Sequence, residues 1–259
     1  MLIDSHCHIP HRRYEKTPSE IIQEAKDSGV EKLIIVGTSL QDNQKVMETA
    51  ETFKNVFCSL AIYPHDELDL SLKQIGLELR AQLLGSKKIV AIGEIGIDIS
   101  EWSGGRSLEE QTKLFDLQMA IASEQKLPVI IHNRNGDERV IEMAKTYSKN
   151  NVIGVAHCFS QDWEYAQKLL DLGYYISFSG MVTYPSRGDL DEIIKKVPSD
   201  RYLVETDAPY LPPQGHRGEG NYPKYVKIVA EKIAQVRGET FEKVSESSYS
   251  NTCALFGLK

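Results

Sequence analysis

Apolar positions along this chain come in short continuous runs, separated by longer stretches in which they recur three or four residues apart. Lys32-Leu33-Ile34-Ile35-Val36-Gly37 is the clearest run. It is β-branched, ends at glycine and has no polar face, so it reads as a strand buried on both sides. Runs of the same kind lead up to His6 and cover residues 56–62, 89–93, 128–132, 152–157, 174–178 and 202–207. The intervening stretches carry helix signals. Thr17 can cap a helix whose first position is Pro18, Glu20 can close a capping box, and the helix runs toward Gly29. Ser107 and Glu110 form a second box, opening a helix to about Gln125 with Leu114, Phe115, Leu117, Met119 and Ile121 among its apolar positions. Further helices are expected over residues 42–53, 71–84, 138–147, 160–173 and 190–197. Two more, 224–236 and 240–256, follow a Pro- and Gly-rich loop at 208–223.

Strands that alternate with helices build a parallel sheet. Eight such units without a linker favour an α/β fold of the closed (β/α)8 TIM barrel type, one domain spanning residues 1–259. A doubly wound open sheet is the alternative, and the missing GxGxxG turn after the first strand counts against it. In a barrel every strand delivers its carboxyl end to one mouth, where active sites lie. The residues at those ends therefore become the candidates for chemistry.

Two histidines, His6 and His8, close the first strand at a spacing of i, i+2 and so share a face, with Cys7 on the other. The same position carries Glu94 after the fourth strand, His132 after the fifth, His157 after the sixth and Asp207 after the eighth. Four histidines and two carboxylates are too many for one four-coordinate ion. They suit two divalent ions, ~3.5–4 Å apart, that share a bridging carboxylate and a water. His6 and His8 would hold one ion, His132 and His157 the other, with Glu94 bridging. Asp207 would ligate the first ion and take a proton from the water. Glu94 and Asp207 are thus the candidate catalytic groups. Ligating histidines must be neutral, so activity is expected to fall in acid. Cys158, beside His157, is expected to point to the opposite face and pack, as is Cys7.

Composition narrows the picture only a little. Apolar residues make up 41% and charged residues 26%, ordinary for a globular protein. The formal net charge of −7 excludes a surface that is basic throughout but permits a local basic rim. Arg134 follows His132 by two residues, and Arg106, Arg187, Arg217 and Lys224 fall in loops expected on the mouth side. Such cations suit a phosphate backbone. Trp102, Tyr184, Tyr210 and Tyr222 lie in the same loops and could stack bases. Cys7, Cys58, Cys158 and Cys253 are widely spaced with no CxxC pair, so no disulfide framework is expected. Without a signal peptide or an apolar run of about 18 residues, the expectation is a reduced, cytoplasmic protein that does not enter the membrane.

The chain resembles the TatD-like metal-dependent deoxyribonucleases, within the amidohydrolase-type barrels. The resemblance runs nearly end to end and rests on Asp4-Ser5-His6-Cys7-His8, Gly93-Glu94-Ile95-Gly96-Ile97-Asp98, Leu127-Pro128-Val129-Ile130-Ile131-His132, His157-Cys158-Phe159-Ser160, Ile176-Ser177-Phe178-Ser179-Gly180, Glu205-Thr206-Asp207-Ala208-Pro209-Tyr210-Leu211 and His216-Arg217-Gly218. It implies a TIM barrel, divalent ions at His6, His8, Glu94, His132, His157 and Asp207, and exonucleolytic hydrolysis of DNA phosphodiesters at single strands or ends. It further implies a substrate role for His65, beside those suggested for Arg134 and Arg217. One departure stands out. The family commonly has His-Pro-His after the third strand, and here Tyr63 takes the place of the first histidine. Tyrosine still donates a hydrogen bond but carries no positive charge. Glu205, two residues before Asp207, reads either as an orienting group or as a buried partner of a basic residue.

Ion identity stays open between Zn, Mn and Mg, because histidine-rich ligation suits the first two whereas the family resemblance implies Mg. A barrel of this kind also serves small lactones, amides and phosphoesters, which is the competing functional expectation. A protein that binds metal without catalysis is a third.

Overall fold

The computed structural model describes residues 1–100 and 104–259. Trp102, a candidate base-stacking residue, lies outside the described residues. Strands and helices alternate as expected: β1 (Leu2–Cys7), α1 (Pro18–Asp27), β2 (Val30–Val36), α2 (Leu40–Thr52), β3 (Val56–Leu60), α3 (Leu72–Leu83), β4 (Ile89–Asp98), α4 (Leu108–Gln125), β5 (Val129–Arg134), α5 (Asp137–Ser148), β6 (Gly154–Ala156), α6 (Trp163–Asp171), β7 (Tyr175–Phe178), α7 (Leu190–Lys196), β8 (Tyr202–Val204), α8 (Val226–Arg237) and α9 (Phe241–Phe256). The eight strands are parallel and hydrogen-bonded in chain order. A bridge from Cys7 to Ala208 brings the last strand back to the first, with His8 N–H donating to Ala208 O at 2.7 Å and Asp207 N–H to His6 O at 2.9 Å. This is a (β/α)8 barrel.

Helix starts follow the capping chemistry. Thr17, Ser71 and Ser107 each accept from the backbone N–H three residues on, while Glu20, Gln74 and Glu110 reach back to the cap. Asp162, not Ser160, caps α6, which therefore begins later than expected.

Alternation along the strands sorts the core into two layers. Leu33 and Ile35 of β2 pack outward with helix residues such as Ile21, Ile22 and Val46. Ile34 and Val36 point inward to meet Ile3, Val90, Ile130, Val155 and Leu203. Leu255, Phe256 and Leu258 join that inner cluster near the strand amino ends. One end of the barrel is thus filled with apolar side chains, and the polar ligand-type residues sit at the other.

Two strands break step to put them there. In β1, Asp4 pairs with Leu33 but Cys7 with Ile35, so one extra residue is accommodated. The phase changes: Ile3 is inward below the slip, and His6 and His8 above it. In β4 the slip lies between Gly93 and Ile95, which oppose Ile130 and Ile131, leaving Glu94 as the extra residue. Gly96 keeps β4 and β5 close past this point. Its φ is +145°, and a Cβ there would fall 1.9 Å from the His132 carbonyl oxygen.

Candidate metal centre

The six ligand-type side chains meet at the mouth. His6 Nε2 lies 3.3 Å from His8 Nε2, and His132 Nδ1 lies 3.2 Å from His157 Nε2. Glu94 stands between the pairs with one oxygen for each. Its Oε1 is 2.6 Å from His132 Nδ1 and 2.8 Å from His157 Nε2, and its Oε2 is 3.5 Å from His6 Nε2 and 3.9 Å from His8 Nε2. Asp207 Oδ1 joins the first pair, 3.4 Å from His8 Nε2 and 3.7 Å from His6 Nε2. Ligand atoms of His6, His8 and Asp207 fall within 4.8 Å of one another, as do those of Glu94, His132 and His157.

This spacing fits ions. Two ring nitrogens each ~2.0–2.1 Å from a tetrahedral ion stand roughly 3.3 Å apart, close to the separation within each pair. The burial fits as well. His6 and Glu94 are 0% and 4% exposed, too deep for imidazoles and a carboxylate without charge partners. Burial opposes the charge of Glu94, yet His157 and His132 outweigh it and hold its carboxyl well below the ordinary range. Burial likewise pulls His157 down, and Glu94 and Glu205 more than reverse it, leaving that imidazole well above its usual value. His6 is lowered, first by burial and then by His157 beside it, on which its ring stacks at 4.0 Å.

A further layer of polar groups holds these ligands. Asp4 accepts from Thr206 N–H at 3.0 Å, Thr206 Oγ1 at 2.5 Å and His6 N–H at 3.3 Å, tying β1 to the segment after β8. Burial pushes the Asp4 carboxyl up to about 8 in spite of these donors. β8 ends at Val204, shorter than expected, and Asp207 is delivered by an irregular turn with φ +57° rather than by the strand. Glu205 resolves its two readings into one place. It accepts from Cys158 N–H and Ser177 Oγ, each at 2.7 Å, with His157 Nδ1 3.3 Å away. Cys7 packs in the core as expected. Cys158 does not sit on a strand: β6 stops at Ala156, Cys158 has φ +46°, and its Sγ lies 3.1 Å from Ser179 Oγ.

The rim is less uniform than the sequence suggests. Arg134 is exposed at the end of β5, and Arg217 is exposed and stacked over Tyr184 at 4.8 Å. Arg106 is spent differently: it donates to the carbonyls of Pro64, Asp66 and Glu67 and clamps the loop after β3. Arg187 pairs with Asp189 and donates to Ser160 O, and Lys224 pairs with Glu24 at 2.9 Å. His65 donates Nε2–H to the Asp98 carbonyl at 2.9 Å and lies under Gly105, where a Cβ would fall 2.2 Å from its Nδ1. Tyr210 sits edge-on to His8 at 5.6 Å, and Tyr222 packs on Tyr14. Sequence reasoning passed over Arg12 and Arg13. Both are exposed, and Arg13 stacks on Tyr210 at 4.7 Å. Their signal was position alone, in the loop directly after His8.

A barrel that gathers histidines and carboxylates at its mouth in ion-sized groups is the architecture of a metal-dependent hydrolase. The relatives agree. A sequence profile for the family described as TatD related DNase matches residues 3–257. Over 258 residues, 100% of both chains, the protein is 35% identical to the uncharacterized metal-dependent hydrolase YabD of Bacillus subtilis. It is 30% identical over 264 residues, 99% of each chain, to an Escherichia fergusonii protein named 3'-5' ssDNA/RNA exonuclease TatD. The crystal structure of YjjV, a TatD homolog from Escherichia coli, matches with a TM-score of 0.92 at 29% identity, covering 100% of this chain and 98% of that one. The chain belongs to the TatD family of metal-dependent hydrolases. Among the described residues, no helix is long and apolar enough to cross a membrane.

Proposed function

We propose that this protein hydrolyses phosphodiester bonds of DNA, working inward from single-stranded ends, with two divalent ions held at the barrel mouth. The observation that carries the reading is Glu94, whose two carboxylate oxygens face two separate histidine pairs. His6, His8 and Asp207 would hold one ion, His132 and His157 the other, and Glu94 both. Bound there, the ions would supply charge neutralisation at phosphoryl oxygens and a water acidic enough to attack near neutral pH. Asp207, partly open at the mouth, takes the proton of the attacking water on its carboxylate. Burial of His6, His8, Glu94 and His157 excludes bulk water from all but one side. Arg134 and Arg217, both exposed, meet the phosphates on either side of the scissile bond. His65 belongs to the same substrate set on the strength of its motif, although its Nε2–H is already given to a backbone carbonyl. The name of the Escherichia fergusonii relative supports a nucleic-acid substrate.

The test is direct. End-labelled single-stranded DNA and a panel of small lactones, amides and phosphoesters are offered to chelator-treated protein resupplied with Mg, Mn or Zn. Progressive shortening of the oligonucleotide, dependent on the added ion, is expected. Turnover of small substrates alone would reject the nuclease reading.

A further inference from the structure

The two histidines that share Glu94 Oε1 are supported from behind in different ways. His157 turns Nε2 to the centre and has Glu205 behind it, with an oxygen 3.3 Å from Nδ1 though outside hydrogen-bond geometry. His132 turns Nδ1 to the centre, so Nε2 is its outer nitrogen. A neutral imidazole that lends Nδ1 as a ligand carries its proton on Nε2, and that proton needs an acceptor. The nearest carboxylate, Asp98 Oδ2, is 3.7 Å away, beyond hydrogen-bond reach. Tyr63 fills the gap. Its hydroxyl oxygen is 3.3 Å from His132 Nε2, and its proton goes to Asp98 Oδ2. Asp98 is itself fixed, 1% exposed and accepting from Ser100 N–H at 2.9 Å.

We propose that Tyr63 is a positioning residue: its hydroxyl accepts from His132 Nε2–H while donating to Asp98, carrying the hold of that carboxylate through to the histidine. This rests on the two-ion reading above. A hydroxyl is suited to the link because it accepts and donates at once. The consequence is an asymmetry. The ion held by His132 and His157 depends on residue 63, whereas the ion held by His6, His8 and Asp207 does not. Outer partners of this kind are worth about 10–100-fold in metal affinity.

The test measures zinc binding to the full-length, chelator-treated protein by competition with a chromophoric chelator. Tyr63→Phe, Asp98→Asn and the double variant are compared with the wild type. Tyr63→Phe keeps the ring and removes only the hydroxyl. The wild type should take up two ions. Tyr63→Phe should weaken one of them about 10–100-fold and leave the other unchanged. The double variant should be no weaker than the weaker single, because both changes break one chain of hydrogen bonds. In zinc-loaded protein with 15N-labelled histidine, the His132 Nε2–H signal should be protected from exchange in the wild type and lost in Tyr63→Phe. Equal weakening of both ions, no weakening, additive losses in the double variant, or a change confined to KM for DNA would overturn the proposal. A wild type that takes up one ion would instead overturn the two-ion reading, and the His132 signal would still decide the relay.

Discussion

The two histidine pairs that flank Glu94 are built by opposite means. His6 and His8 come from a single strand end, two residues apart, and a slip in β1 turns them inward. The far side of His6 carries no hydrogen bond, its Nδ1 being buried without a partner among the described residues, as is Nδ1 of His157, and a Glu205 oxygen lies within 4.8 Å of a nitrogen on each ring. His132 and His157 come from separate strands, and each has a carboxylate behind it, Glu205 directly and Asp98 through Tyr63. The first pair is nearly a property of local sequence. The second exists only when β4, β5, β6 and the segment after β8 are in register together. The centre therefore joins a locally specified half to a globally specified half, and variants should separate the two.

On the proposed mechanism, Asp207→Asn acts on the first half and on the chemistry itself. Loss of a positioned base costs about 10²–10⁴-fold, so kcat on single-stranded DNA should drop by that order. An unchanged rate would remove Asp207 from the mechanism. Glu205→Gln acts first on the second half, through His157 at 3.3 Å, and more weakly on His6, a nitrogen of which lies within 4.8 Å of a Glu205 oxygen. It should weaken one zinc ion about 10–100-fold in chelator competition and the other by clearly less. Equal loss at both would erase the distinction between the halves.

The pH response sharpens the comparison without any mutation. Burial disfavours charge on His157, but Glu94 and Glu205 raise it well above its usual value of 6.5. In chelated protein the protonated histidine stabilises the fold fully below that value and less as pH climbs through the raised one. Glu94, held well below its usual 4.5, contributes above that value and loses its contribution in acid. Calorimetry of chelated protein should thus show a Tm that declines from near neutral toward alkaline pH. Zinc affinity, which needs neutral histidines, should rise over the same window. Parallel slopes would contradict the assignment of His157 as a ligand. The smallest effects belong to the rim. Arg134→Ala and Arg217→Ala should each raise KM for an oligonucleotide a few-fold and reduce the salt slope by about 1. Hydrolysis of a small phosphodiester serves as the reference.

What the sequence makes legible follows the same division. Strand runs and capping boxes are local, and Ile34-Ile35, Thr17–Glu20 and Ser107–Glu110 appear in the fold as their pattern implies. The ligand-type residues are legible too, because barrel topology sends every strand end to one mouth. Glu94 shows the limit. Its position after an apolar run was plain, but the strand continues to Asp98, and Glu94 reaches the centre through a register slip that simple alternation does not contain. The rim was least legible. Arg106, Arg187 and Lys224 look like free cations in sequence, and their partners are backbone carbonyls or distant carboxylates that only folding brings near. Tyr63 was visible as a departure from a motif, while its use depended on where Asp98 fell.

The seam of the barrel runs through the centre. His6 O receives Asp207 N–H, Asp4 receives Thr206, and Ser5 Oγ donates to Val204 O at 3.0 Å, all linking the first residues to ones about two hundred positions later. A growing polypeptide carries His6 and His8 about two hundred residues before it carries Asp207, which follows the last strand. The six side chains can therefore be gathered only after both edges of the barrel exist, which ties assembly of the centre to closure of the fold.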